Sequence, residues 1–109
     1  MTKVVFFRDS DQNILGFESS GHSGYAQEGE DIVCAGISAL VLNAVNSIET
    51  LTDAHMLYEE DPETAWIRFS SEDYERSDVQ LLLQSLRNGL QSIEASYGSQ
   101  FIEVGFKEV

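Results

Sequence analysis

Residues 31–51 read DIVCAGISALVLNAVNSIETL. Apolar residues at 33, 37, 40, 41, 44, 45, 48 and 51 recur at spacings of three and four, the period of an α-helix. Asp31 is a good N-cap residue, so the helix is expected to start there. Ala35, Ala39 and Leu42 carry the apolar character nearly all the way round. A helix apolar on most sides is covered on more than one side. In a chain of 109 residues, a second copy of the chain is a natural cover. With Asp31 as cap, Cys34, the single cysteine, occupies the third helical position.

Outward from this helix the pattern changes to period two. Residues 3–8 (KVVFFR) and 14–19 (ILGFES) are rich in β-formers and flank the turn-forming DSDQN, which reads as a β-hairpin. Residues 20–30 form a loop containing Gly21, Gly24 and Gly29. Downstream, 54–60 and 64–70 read as two strands joined across Asp61 and Pro62. A second helix is expected from about Tyr74 to Tyr97, with Val79, Leu82, Leu83, Leu86, Leu90 and Ile93 on one face. Gly89 should weaken it by about 1 kcal/mol relative to Ala, and Gly98 should end it. Residues 101–106 make a last strand. The order β-β-α-β-β-α-β predicts one α+β domain over 1–109, a mainly antiparallel sheet with two helices.

Nineteen acidic residues against six basic give a formal charge of −13. That balance argues against nucleic-acid backbones and anionic membranes as direct partners and favours a basic peptide or protein. A solubility role would leave the same mark. MTKVVFFRDS reads as a strand rather than a signal peptide, and the apolar region near 32–48 is broken by Ser38, Asn43, Asn46 and Ser47. A lone thiol suits the reducing cytoplasm.

The chemistry concentrates around Cys34. Backbone N–H groups in a first helical turn lack intrahelical partners and carry partial positive charge. A thiolate gains from that field, and the same N–H groups can bind a developing oxyanion. His22 lies twelve residues before Cys34 and supplies a base if the loop folds back over the helix start. Spacing alone favours a blander reading, in which Cys34 is a small buried hydrophobe. His55 falls inside an expected strand and is best explained by packing. One Cys and two His without a close pair fit no usual zinc spacing, so neither metal nor other cofactor is expected. The acidic runs Glu28–Asp31 and Glu59–Glu63 read as solvated loops. A thiol redox sensor would lack a second cysteine to resolve it.

The stretch Gly21-His22, then a Gly-containing loop, then Gly29-Glu30-Asp31-Ile32-Val33-Cys34-Ala35 with Ser38 one turn on, resembles the ribosomal-processing cysteine proteases of bacteria, the Prp family. Length and element order agree over essentially the whole chain. The resemblance implies a dimeric cytoplasmic endopeptidase that trims a short N-terminal extension from a large-subunit ribosomal protein, with an aromatic residue before the cleaved bond and a basic arm after it. It implies Cys34 as nucleophile and His22 as base. Asp31 would cap the helix or orient the loop, Ser38 would support the thiol's surroundings from the next turn, and Gly21, Gly24 and Gly29 would let the loop open for a peptide and close over it. The alternative is a non-enzymatic acidic binding module, such as a ribosome-associated adaptor, in which Cys34 is structural.

Overall fold

A computed structural model of the chain describes residues 1–27 and 29–109; Glu28, at the head of the first acidic run, lies outside them. The elements are β1 (Thr2–Arg8), β2 (Ile14–Ser20), α1 (Ile32–Leu51), β3 (Leu57–Asp61), β4 (Trp66–Ser70), α2 (Ser77–Tyr97) and β5 (Ile102–Glu108). They form one five-stranded mixed sheet in the order β3-β4-β2-β1-β5. Only β1 and β5 pair in parallel, because α2 carries the chain back before β5 begins; the other three pairings are antiparallel.

Period-two alternation puts one side of each strand against the helices. Phe6 faces Phe17, and Phe17 faces Phe69, across three neighbouring strands, with ring centroids 5.8 and 5.5 Å apart. From α1, Val33, Ile37, Val41, Ala44, Val45 and Ile48 close over them; α2 adds Val79, Leu83, Leu86 and Leu90. The other side of the sheet, with Val5, Phe7, Leu15, Lys3 and Arg68, lines an open hollow.

The hairpin forms as its turn chemistry requires. The Asp9 carboxylate accepts the N–H groups of Asp11 and Asn13, and also the Tyr74 hydroxyl. Gln80 ties α2 to β2, exchanging amide hydrogen bonds with both the Ile14 N–H and its carbonyl. Gly89 has a tertiary reason: a Cβ there would lie 2.9 Å from Leu40 Cδ1 of α1, so its absence lets the two helices close together. By length and mean hydropathy α1 would pass for a membrane span, yet its buried positions belong to the common core, and Asn43, Asn46 and Glu49 lie on its outer side.

Several boundaries differ from the sequence reading; β4 begins at Trp66 rather than Thr64, the chain from Pro62 to Ala65 being in the turn. β3 begins at Leu57 rather than Ala54, because the Ala54 N–H is taken by the Thr52 hydroxyl and the His55 N–H by the Asp73 carboxylate. His55 is therefore not a packed strand residue; its side chain is 79 % exposed and its ring meets Asp73 at 2.9 Å. Helix α2 begins at Ser77, since the chain from Glu72 to Arg76 is held in turns, with the Arg76 N–H on the Asp73 carbonyl. β5 runs two residues further than expected, to Glu108, following β1 in register.

Candidate active site

Asp31 organises the start of α1. It takes an extended conformation, and its Oδ1 accepts the Cys34 N–H at 2.9 Å. Its Oδ2 faces the loop instead, accepting the hydroxyl of the buried Ser23 and the N–H groups of Tyr25 (3.1 Å) and Ala26 (3.4 Å). One carboxylate thus fastens the helix and the preceding loop together. Desolvation pushes the Asp31 carboxyl up, but these hydrogen bonds outweigh it and hold the group below its ordinary value.

The loop is pinned at its other end as well. Gly21 has φ +85°, and a Cβ on it would lie 2.5 Å from the Met1 carbonyl oxygen. The Thr2 hydroxyl donates to the Gly21 carbonyl at 3.2 Å. In the middle, Tyr25 meets the rings of Tyr97 and Phe101 edge-on, at 5.5 and 5.2 Å. Gly29, φ +89°, has open space around it, so its backbone conformation rather than crowding favours glycine there.

Between these anchors the chain folds back so that His22 and Cys34 line the same hollows. One, of about 210 Å³, continues over Ser38, Ile37, Val41 and Trp66. Another, of about 450 Å³, runs along the loop past Gly24, Gly29 and Asp31. His22 is exposed and Cys34 half-buried; among the described residues no hydrogen bond joins the two side chains. Ser38 is exposed on the helix turn after Cys34 and lines both hollows. Two of the first-turn N–H groups are already committed: that of Cys34 to the Asp31 carboxylate and that of Ala35 to the Asp31 carbonyl. Among the described residues those of Ile32 and Val33 have no protein acceptor, but neither residue lines the hollows that Cys34 and His22 share.

Sequence reasoning missed Ser23, Tyr25 and Trp66. An isolated aromatic residue in a Gly- and Ser-containing loop was the available signal for Tyr25; Trp66 came in only through the β3–β4 turn, which brings it across to α1. The described residues also bring three possible metal donors, on His55, Glu72 and Asp73, within 4.8 Å of one another, at the exposed turn before α2. Cys34 and His22 take no part in that group.

The family model described as "Cysteine protease Prp" matches residues 1–102. A relative from Bacillus subtilis (strain 168), "Ribosomal processing cysteine protease Prp", is 33 % identical over 101 residues, covering 89 % of this chain and 90 % of its own. A relative of the same description from Staphylococcus aureus (strain Mu50) is 34 % identical over 87 residues, covering 80 % of this chain and 81 % of its own. Among solved structures, the ribosomal processing protease Prp from S. aureus with a covalently linked product peptide superimposes with a TM-score of 0.94 at 30 % identity, covering 98 % of this chain and all of that one. The same protease with a substrate peptide gives 0.88 at 29 % identity, with the same coverage.

Proposed function

We propose, from the premise that the chain belongs to the Prp family of cysteine proteases, that it removes a short N-terminal extension from a large-subunit ribosomal protein by means of a Cys34–His22 dyad. The observation that carries the assignment of the dyad is the shared cleft: the half-buried thiol at a helix start and the exposed imidazole on the folded-back loop open into one space.

In this reading His22 accepts the Sγ proton, and the thiolate attacks the peptide carbonyl carbon. The tetrahedral oxyanion collapses, the C–N bond breaks, and His22 returns the proton to the leaving amine. Water, deprotonated by His22, then releases the acyl group from Cys34. Because the two side chains are not hydrogen-bonded in the free protein, peptide binding must draw the loop inward before the first proton moves.

The cleft supports an aromatic residue before the cleaved bond: Ile37, Val41, Trp66 and Ile67 give it apolar walls. Glu60 and Asp61 stand on its rim and favour a basic arm. The S. aureus relatives, solved with substrate and product peptides, support peptide binding of this kind. We also propose that the enzyme works as a cytoplasmic homodimer. Ile32, Leu42 and Leu51 of α1 are 58, 44 and 74 % exposed, so the helix keeps uncovered apolar side chains on more than one side, part of which a second copy would cover. Sedimentation at micromolar concentration should then give a dimer.

The direct experiment is incubation with the ribosomal protein precursor, followed by mass spectrometry. Wild type should release one N-terminal fragment. Cys34→Ala should release none while keeping its fold, and Cys34→Ser should be very slow, since a hydroxyl is the poorer nucleophile. Cleavage by Cys34→Ala at the wild-type rate would overturn the dyad.

A further inference from the structure

We infer that Arg8 and Arg87 form an anion site, away from the catalytic cleft, that takes a small dianion of the phosphate class.

With 19 acidic residues to six basic ones, carboxylate partners for arginine are in ample supply. Arg68 takes Glu18 at 3.2 Å, and Arg76 takes Asp78 at 2.9 Å. Arg8 and Arg87 differ. Among the described residues neither enters an ion pair, and both line one hollow of about 210 Å³. Gln12, Ile14, Gln84 and Phe106 complete that hollow, so no carboxylate lines it. The adjacent Asp9 is taken up by its own turn and by the Tyr74 hydroxyl. Glu108, opposite Arg8 in register, is exposed and is not part of the lining.

Both half-buried guanidinium groups are held without being neutralised. Arg87 Nε donates to Gln84 Oε1 at 3.0 Å, and its Nη1 donates to Gln91 Oε1 at 3.2 Å. Gln84 and Gln91 stand at the helical spacings where a glutamate would make an ion pair with Arg87. Neutral amides there fix the fork and leave its charge in place. Arg8 lies over the Phe106 ring, its guanidinium carbon 4.2 Å from the centroid, and keeps its N–H groups for another acceptor. Two such charges at one hollow repel each other, and an anion between them turns repulsion into attraction. A monocarboxylate balances one arginine. A phosphate dianion balances both and offers oxygens to both forks. Arg8 ends β1, whose first residue, Thr2, lines the cleft with Cys34 and His22; a strand of this length separates the two sites by about 20 Å.

The test is an NMR titration of the full chain at neutral pH, read through the arginine Nε–H signals. Chloride is exchanged for the added anion, so that ionic strength stays constant. Inorganic phosphate should move the Arg8 and Arg87 signals along saturable curves in the millimolar range and leave the Arg76 signal still. Acetate should bind at least about tenfold more weakly, since it balances only one of the charges. Arg8→Gln and Arg87→Gln should each weaken phosphate binding about tenfold, while Arg76→Gln leaves it unchanged. If Arg87→Gln loses its fold with its glutamine contacts, Arg8→Gln, on another element, decides alone. AMP in place of phosphate tells the source: tighter binding by AMP supports the site as one for a nucleotide, and binding no tighter supports it as one for the free ion. Shifts that stay linear with concentration, an equal response to acetate, phosphate binding unaltered in Arg8→Gln, or an equal loss in Arg76→Gln would each overturn the inference. None of these outcomes bears on the protease assignment.

Discussion

Asp31 shows how much one side chain can coordinate. Its two oxygens face different elements, so capping the helix and shaping the loop are a single act. Its carboxyl lies below the ordinary value of 3.8, because loop and helix donors stabilise the charged form more than desolvation penalises it. A depressed acid contributes its stabilisation fully above the unfolded value and loses it as the pH falls through the folded value. The loop should therefore keep its order at pH 4 and lose it only in stronger acid. An NMR titration of Asp31 with a midpoint at or above 3.8 would contradict this. Gly21 is constrained in a different way. Alanine there would meet both an unfavourable φ and the Met1 carbonyl 2.5 Å away. Gly21→Ala should cost about 1–3 kcal/mol in urea denaturation. Because His22 follows directly, it should also lower kcat/KM by up to about 100-fold.

At the scale of elements, the loop between β2 and α1 is held at three places: the Gly21 pivot, the Asp31 carboxylate and the aromatic contact of Tyr25 with Tyr97 and Phe101. The last is the most readily released, since Tyr25 is 42 % exposed and its ring–ring contacts are worth about 1 kcal/mol. Tyr25→Ala should speed amide exchange in the flanking loop about fivefold and leave the core of α1 unchanged. Unaltered loop exchange would mean that Asp31 alone holds it. Gly89 makes a related point about helices. Its propensity cost is offset by the approach of Leu40, so removing the glycine would relieve one problem and create another.

For the whole molecule, a net charge of −13 makes long-range attraction of a basic arm an expected contribution to encounter. Screening acts over about 10 Å at 0.1 M ionic strength and about 3 Å at 1 M. On a peptide with a basic arm, kcat/KM should fall as salt rises, while kcat changes little because the dyad acts at short range. Neutralising the arm should lower kcat/KM and flatten the dependence. Salt-independent rates, equal for basic and neutral arms, would reduce the surface charge to a solubility device.

The sequence alone carried the element order and the α1 start, because both rest on local physics: hydrophobic period, turn chemistry and the Asp31 cap. It also carried Cys34 and His22 as candidates, through the run from Gly21 to Ser38. It could not place the start of β3, because a side chain distant in sequence, that of Asp73, takes up the His55 N–H; it put the start of α2 early because the turns from Glu72 to Arg76, closed by the Arg76 N–H on the Asp73 carbonyl, come before the helix. It misjudged His55 through the same Asp73 side chain. Only the tertiary structure brought Trp66 across to α1, set Tyr25 against Tyr97 and Phe101, and gathered Arg8 and Arg87 around one hollow. These relations join residues tens of positions apart, and nothing in local periodicity encodes which distant side chain closes a given space.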